Sequence, residues 1–225
     1  MAMATPGPST PPTPSSAAER TQVLLQALAE PVPSTTRFVE RRESGLLDEP
    51  LILRGEMARP ETDRLVRSVL APYSERSEIH GERVEVTRED GRTRRFSLRR
   101  APALGALRDG LQALLSGDAK ALQENFEVTL DEAAAGADGG AWRFTMRPHA
   151  ERVAEDIGKL EAFGRGDTLR CLATHEADGS GSWLLLGQAS EAAEPDFDGE
   201  CALPEAASAD DARVADDAGT GPDAR

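Results

Sequence analysis

The sequence predicts a mainly β, α+β protein: one large, strongly curved antiparallel sheet with a helical insertion against its apolar side. Three observations carry this. Near Thr36 the spacing of apolar residues changes from helical to alternating, from Pro102 it returns to a helical stripe, and from Phe126 it alternates again. With short turns and few long loops between the alternating runs, the strands form a meander with one apolar face, and an amphipathic helix is the natural cover for that face.

The first element is a helix. Ser16-Ala-Ala-Glu19 has capping-box spacing, Val23, Leu24 and Leu28 follow at helical intervals, and Pro31 and Pro33 close the segment. In the next region Leu51, Leu53 and Met57 alternate with Ile52, Arg54 and Glu56, with Gly55 falling on the apolar side. Val84 and Val86 alternate with charges, and Phe96 and Leu98 do the same beyond the turn Glu89-Asp90-Gly91. These runs give about four strands.

Pro102 opens the insertion, in which Leu104, Leu107, Leu111, Leu114 and Leu115 lie on one stripe. Gly117 ends it. Asp118, an acid beside a glycine, has the composition of a catalytic carboxylate, a metal ligand or a helix joint. Its place just before Ala119-Lys120-Ala121-Leu122 favours an N-cap, with Gly117 supplying the left-handed exit of the preceding helix. Phe126, Val128 and Leu130 then alternate, followed by a turn over 135–140 and by Trp142, Phe144 and Met146. Runs around 160–163, 169–174 and 182–186, the last two hinged at Asp178-Gly179, bring this second set to about five strands.

Composition divides the 225 residues into three parts. Residues 1–18 carry no charge and are rich in Pro, Ser, Thr and Ala, a composition that does not order itself. Residues 191–225 hold eleven acids against Arg213 and Arg225, so most of the net charge of −14 lies in a solvated acidic tail. The folded unit is read as residues 19–190.

This charge balance excludes a phosphate-neutralising nucleic-acid binder. Arg92, Arg94, Arg95, Arg99 and Arg100 form a local exception, read first as the solvated face of a hairpin and second as a docking patch for an anionic partner. No run approaches the roughly 20 apolar residues of a membrane span. The N-terminus also lacks the basic and apolar regions of a signal peptide.

No catalytic constellation emerges. His80, His149 and His175 read as surface residues, and no nucleophile elbow, phosphate loop or metal-ligand spacing accompanies them. Cys171 reads as a buried structural thiol, a bridge to Cys201 in the acidic tail being the alternative. No enzyme activity, cofactor or metal is expected.

Four motifs in order resemble the LolA family of periplasmic lipoprotein carriers over residues 35–190. They are Gly55-Glu-Met-Ala-Arg59-Pro60 followed by Leu65 and Pro72; Ile79-His-Gly-Glu-Arg-Val84; Leu115-Ser-Gly117-Asp118 with Leu122 and Phe126; and Trp142-Arg-Phe-Thr-Met-Arg-Pro148. The last two are most similar to the LolA-like branch associated with aryl-polyene pigment clusters.

The resemblance implies an incomplete antiparallel β-barrel with a helical lid over its concave apolar face. It also implies a soluble, monomeric, non-enzymatic periplasmic carrier that takes acyl chains from an inner-membrane donor transporter to an outer-membrane receptor. The cargo would be a lipoprotein, a lipid or an acylated aryl polyene; a half-barrel scaffold docking an envelope complex through the arginine hairpin is the alternative. Carried onto this sequence, Leu51, Leu53, Met57, Phe96, Leu98, Phe126, Val128, Trp142, Phe144 and Met146 would line the cavity. Leu104, Leu107, Leu111 and Leu114 would form the lid, and Arg59 would latch it by meeting the helix around 103–111.

Overall fold

The computed structural model describes residues 16–133 and 140–203. The chain opens with helix α1 (Ala17–Ala27), whose capping box is complete: the Glu19 amide donates to Ser16 Oγ and the Ser16 amide donates to the Glu19 carboxylate. Six strands follow: β1 (Ser34–Glu43), β2 (Leu51–Glu61), β3 (Arg64–Ala71), β4 (Glu75–His80), β5 (Arg83–Arg88) and β6 (Thr93–Ser97). The alternation in the sequence marks only about four of these six. In β3 and β4 arginine, serine and glutamate occupy inward as well as outward positions, so the alternation that marks a half-buried strand is diluted.

A 3-10 turn at Leu98–Arg100 leads into α2 (Pro102–Ser116), and α3 (Ala119–Asn125) follows it. The joint between the helices is as the sequence predicts. Gly117 takes φ +69°, the left-handed exit, and the Ala121 amide donates to Asp118 Oδ1 at 2.9 Å. Asp118 is a helix cap. Five strands complete the sheet: β7 (Phe126–Glu132), β8 (Ala141–Pro148), β9 (Ile157–Arg165), β10 (Thr168–Glu176) and β11 (Gly181–Leu186). Short helices α4 (Glu151–Ala154) and α5 (Phe197–Glu200) lie between β8 and β9 and after β11. The turn predicted over 135–140 lies, except for Gly140, outside the described residues, as do residues 1–15 and 204–225 of the two tails.

All eleven strands form one antiparallel sheet in the order β6-β5-β4-β3-β2-β1-β11-β10-β9-β8-β7. The sheet curves but does not close. Its edges, β6 and β7, are the strands between which α2 and α3 are inserted in sequence, so the helical insertion passes over the concave face between them. Curvature is helped at Gly55, where the Phe38 ring lies on the backbone of β2. A Cβ there would stand 2.0 Å from the Ser68 carbonyl oxygen and 2.8 Å from Phe38 Cζ.

The concave face is covered unequally. Over β7–β9, Phe126, Trp142, Phe144, Met146 and Ala162 pack with Leu25, Leu28, Ala113, Leu114 and Leu122 of the three helices into a continuous core. The convex face carries a second cluster of Val39, Phe163, Cys171, Ala173 and Leu185, which Phe197 of α5 covers.

That contact extends the packed chain past residue 190, where the sequence reading ends the folded unit, and it corrects the reading of the cysteines. Phe197 anchors the segment, Arg41 reaches Asp198 at 3.3 Å, Arg170 reaches Glu200 at 2.5 Å, and Cys201 is thereby placed on Cys171 in a disulfide. Cys171 is not a free thiol.

Candidate functional site

The other half of the concave face is left open. Between α2 and strands β1–β5, β10 and β11 lies a cleft of about 840 Å³. Its floor and walls include Leu51, Met57, Leu65, Ile79, Val84, Val86, Leu172 and Leu184, and α2 presents Leu104, Leu107, Leu111 and Leu114 to it. These four leucines, which share one stripe of α2, all border this cleft. Of the ten residues expected to line it, Leu51, Met57 and Met146 do so.

The other seven are placed elsewhere: four lie under the helices, and three are enclosed mainly by residues of neighbouring strands. Phe126, Trp142 and Phe144 are buried under α1–α3, with Val128 packed against the same cluster. The Trp142 and Phe144 rings meet at a tilt of 51° with centroids 5.3 Å apart, and Trp142 Nε1 donates to the Gly166 carbonyl at 2.9 Å. Leu53 is enclosed by Phe38 and Val69. Phe96 and Leu98 pack with Ile79 and Val84 at the far edge, Leu98 in the 3-10 turn and not in a strand.

Arg59 is at the end of β2 and only 6% exposed. One guanidinium nitrogen, Nη1, donates to the Leu115 carbonyl at 3.1 Å. The contact is with the last turn of α2 and not with the 103–111 segment that the family resemblance suggests. The last turn is where helix carbonyls lack intrahelical partners and the dipole favours a cation. Burial lowers the Arg59 pKa, and nearby Glu30 opposes that shift in part. The Glu30 amide shares the same carbonyl at 3.0 Å. Arg59 also borders a second hollow of about 690 Å³, which meets the first at Met57 and Leu111.

One feature of the cleft has no counterpart in the sequence reading. Glu40 on the floor, 5% exposed, accepts from Arg42 Nε at 2.6 Å and from Arg67 Nη2, and the Arg67 guanidinium lies 4.7 Å from the Phe38 ring centre. Burial lowers the Arg42 pKa, but Glu40, with Tyr73 and Glu75, outweighs it and the net shift is upward. The alternation of β1 is the available signal, since Phe38, Glu40 and Arg42 share one face.

Elsewhere many of the charged groups are paired. Arg92, Arg95 and Arg99 of the arginine hairpin meet Asp90, Glu85 and Glu82, and Arg94 lies over Phe96. His175 is not a plain surface residue: its Nε2 is 2.8 Å from the buried Glu161, which Lys159 also approaches at 2.9 Å. Burial alone would raise the Glu161 pKa, but Lys159 and His175 together hold it below the usual carboxylate range. Glu61, Asp63 and His80 converge within 4.8 Å, a grouping that their sequence spacing hides; all three are exposed, and His80 pairs with Asp63 at 3.4 Å. Among the described residues no helix is long and apolar enough to cross a membrane.

Residues 13–205 match the sequence family described as outer membrane lipoprotein carrier protein LolA-like. The chain belongs to that family. The open sheet and the helix laid over it are thus the LolA-like architecture. No curated protein sequence matches the chain significantly.

Solved structures that resemble it include a LolA superfamily protein from Nitrosomonas europaea, with 12% identity, a TM-score of 0.39 and coverage of 77% of this chain and 93% of that one. LprF from Mycobacterium bovis gives 10%, 0.36, 81% and 98%. A DUF1329 family protein from Desulfovibrio piger gives 9%, 0.41, 77% and 92%. Likenesses this distant carry no argument of their own.

Proposed function

We propose that this LolA-like protein is a carrier that encloses the acyl chains of a lipid or lipoprotein in the cleft under α2 and conveys them across the periplasm to the outer membrane. The observation that carries the reading is the unfilled cleft itself. A sheet face and a helix stripe of this apolarity normally close on each other, yet here they stand apart around a volume typical of ligand sites, about 300–1,000 Å³. Acyl chains would enter by area alone, each buried methylene contributing about 0.8 kcal/mol.

Arg59 then acts as a latch. In the empty protein it ties the end of α2 to β2, and an incoming chain that displaces α2 breaks the tie. The tie is one hydrogen bond, an amount that ligand burial can exceed.

The test is extraction. Protein purified from its native host and extracted with organic solvent should release a stoichiometric acyl lipid, identified by mass spectrometry, and the emptied protein should take up an apolar fluorescent dye. A clean extract with no dye uptake sinks the carrier reading.

A further inference from the structure

The cleft is graded in polarity along its length. Leu65, Ile79 and Val84 lie at one end beneath Leu104 and Leu107, whereas Glu40, Arg42 and Arg67 occupy the floor towards the loops at 44–50 and 177–180. A cavity meant only for hydrocarbon gains nothing from three ionised groups in its wall, because each costs desolvation that alkane cannot return.

The charges in this wall do not cancel. Glu43 is paired outward with Arg41 and Asp109 with Arg108. Glu161, on the opposite face of β9 from Ala162, is paired with Lys159. Glu75 lies 3.7 Å from Arg88 and also faces Arg42. Glu176 and Asp178 stand at the exposed rim, where water screens them. Two guanidinium groups share the single Glu40 carboxylate, with Glu75 further from Arg42, so the pair carries more positive charge and more N–H donors than Glu40 alone engages.

We propose that the cleft selects an amphiphile with one anionic head, a carboxylate or a phosphate, held by Arg67 and Arg42 while its acyl tail lies beneath α2. The inference rests on the carrier reading and narrows it. Arg67, fixed over the Phe38 ring and tied to Glu40, is pre-oriented to offer paired donors to a planar or tetrahedral anion. Glu40 holds the two arginines together when the cleft is empty and keeps the site from carrying two uncompensated charges.

The experiment compares a long-chain fatty acid bearing a terminal dansyl group with its methyl ester, at a pH where the acid is ionised. The wild type should bind the acid at least about tenfold more tightly than the ester. Arg67→Met should abolish that preference, weakening the acid by at least about tenfold more than the ester. Glu40→Gln, which frees the second positive charge, should increase the preference, so the proposal stays testable should Arg67→Met fail to fold.

Displacement of the dansyl probe by a single-chain phosphatidate, or by unlabelled fatty acid, but not by neutral monoacylglycerol, supports the proposal and names the head. Equal binding of acid and ester in the wild type, or an unchanged ratio in Glu40→Gln, overturns the head-group site alone. Binding of neither probe overturns the carrier reading on which it rests.

Discussion

The two halves of the concave face share a sheet, a residue pattern and a covering helix, yet one is core and the other is cavity. Over β7–β9 the inward residues are Trp142, Phe144 and Met146, and α1, α2 and α3 all converge on them. Over β2–β5 the inward residues are Met57, Leu65, Ile79 and Val86, and of the three helices it is α2 that reaches them. Alternation makes a face apolar; the number of helices docked on it decides whether that face is filled. A binding protein can thus draw its stability from one half and leave the other free for ligand.

The contrast is most easily broken by truncation. Phe144→Ala, in the filled half, should cost about 3–5 kcal/mol in denaturant unfolding. Leu65→Ala, on the cleft wall, should cost about 1 kcal/mol, because its side chain already faces a void. Similar losses at the two sites would mean that the cleft is ordinary core.

Enlargement sharpens the same comparison. Ala162→Leu overpacks the space in front of Phe144 and should cost about 1–3 kcal/mol. Val86→Phe should be accommodated within about 0.5 kcal/mol, yet should weaken uptake of an apolar dye by roughly tenfold. Undiminished uptake would place the ligand elsewhere.

Arg59 lies where α2 leaves the filled half for the open one. Arg59→Leu removes the tie to Leu115, favours the displaced helix and should tighten binding of a fluorescent fatty acid by about tenfold. Identical affinity in the two proteins would exclude a latch.

The smallest effect concerns the outer surface behind the filled half, where Glu161 is held by Lys159 and His175. Its folded-state pKa is lowered, so its stabilising contribution is complete above the unfolded value of about 4.3 and is lost as pH falls through the folded value. The stability advantage of wild type over Glu161→Gln should therefore shrink in acid below about pH 4.3, followed by thermal melts. A pH-independent difference would assign the effect to packing.

Much of this architecture is legible in the chain. The capping box at Ser16, the leucine stripe of α2 and the Gly117-Asp118 joint are local features, fixed by a few neighbouring residues, and they appear where the spacing puts them. The division of the sheet is not local. Phe144 and Met57 present the same alternation, and nothing near either tells which of them three helices will cover.

The charged trio on the floor is hidden for a related reason. Arg67 is separated from Glu40 by all of β2, so their pairing exists only once the strands are in register. Cys201 sits in an acid-rich run that composition assigns to solvent; Phe197, one apolar residue among acids, is what brings it back to the sheet.

The central pairing of β1 with β11 has a consequence for how the molecule is made. Phe38 meets Leu186, so the first and last strands form a seam in the middle of the sheet, with hairpin-connected strands on either side. Each side can assemble from local contacts, but the seam must wait for the whole chain, which places its closure late and makes it the slow step. The cleft straddles that seam, with Leu51 and Met57 on one side and Leu172 and Leu184 on the other. Competence to bind therefore arrives all at once, with the last strand, and no fragment ending before β11 would contain the site.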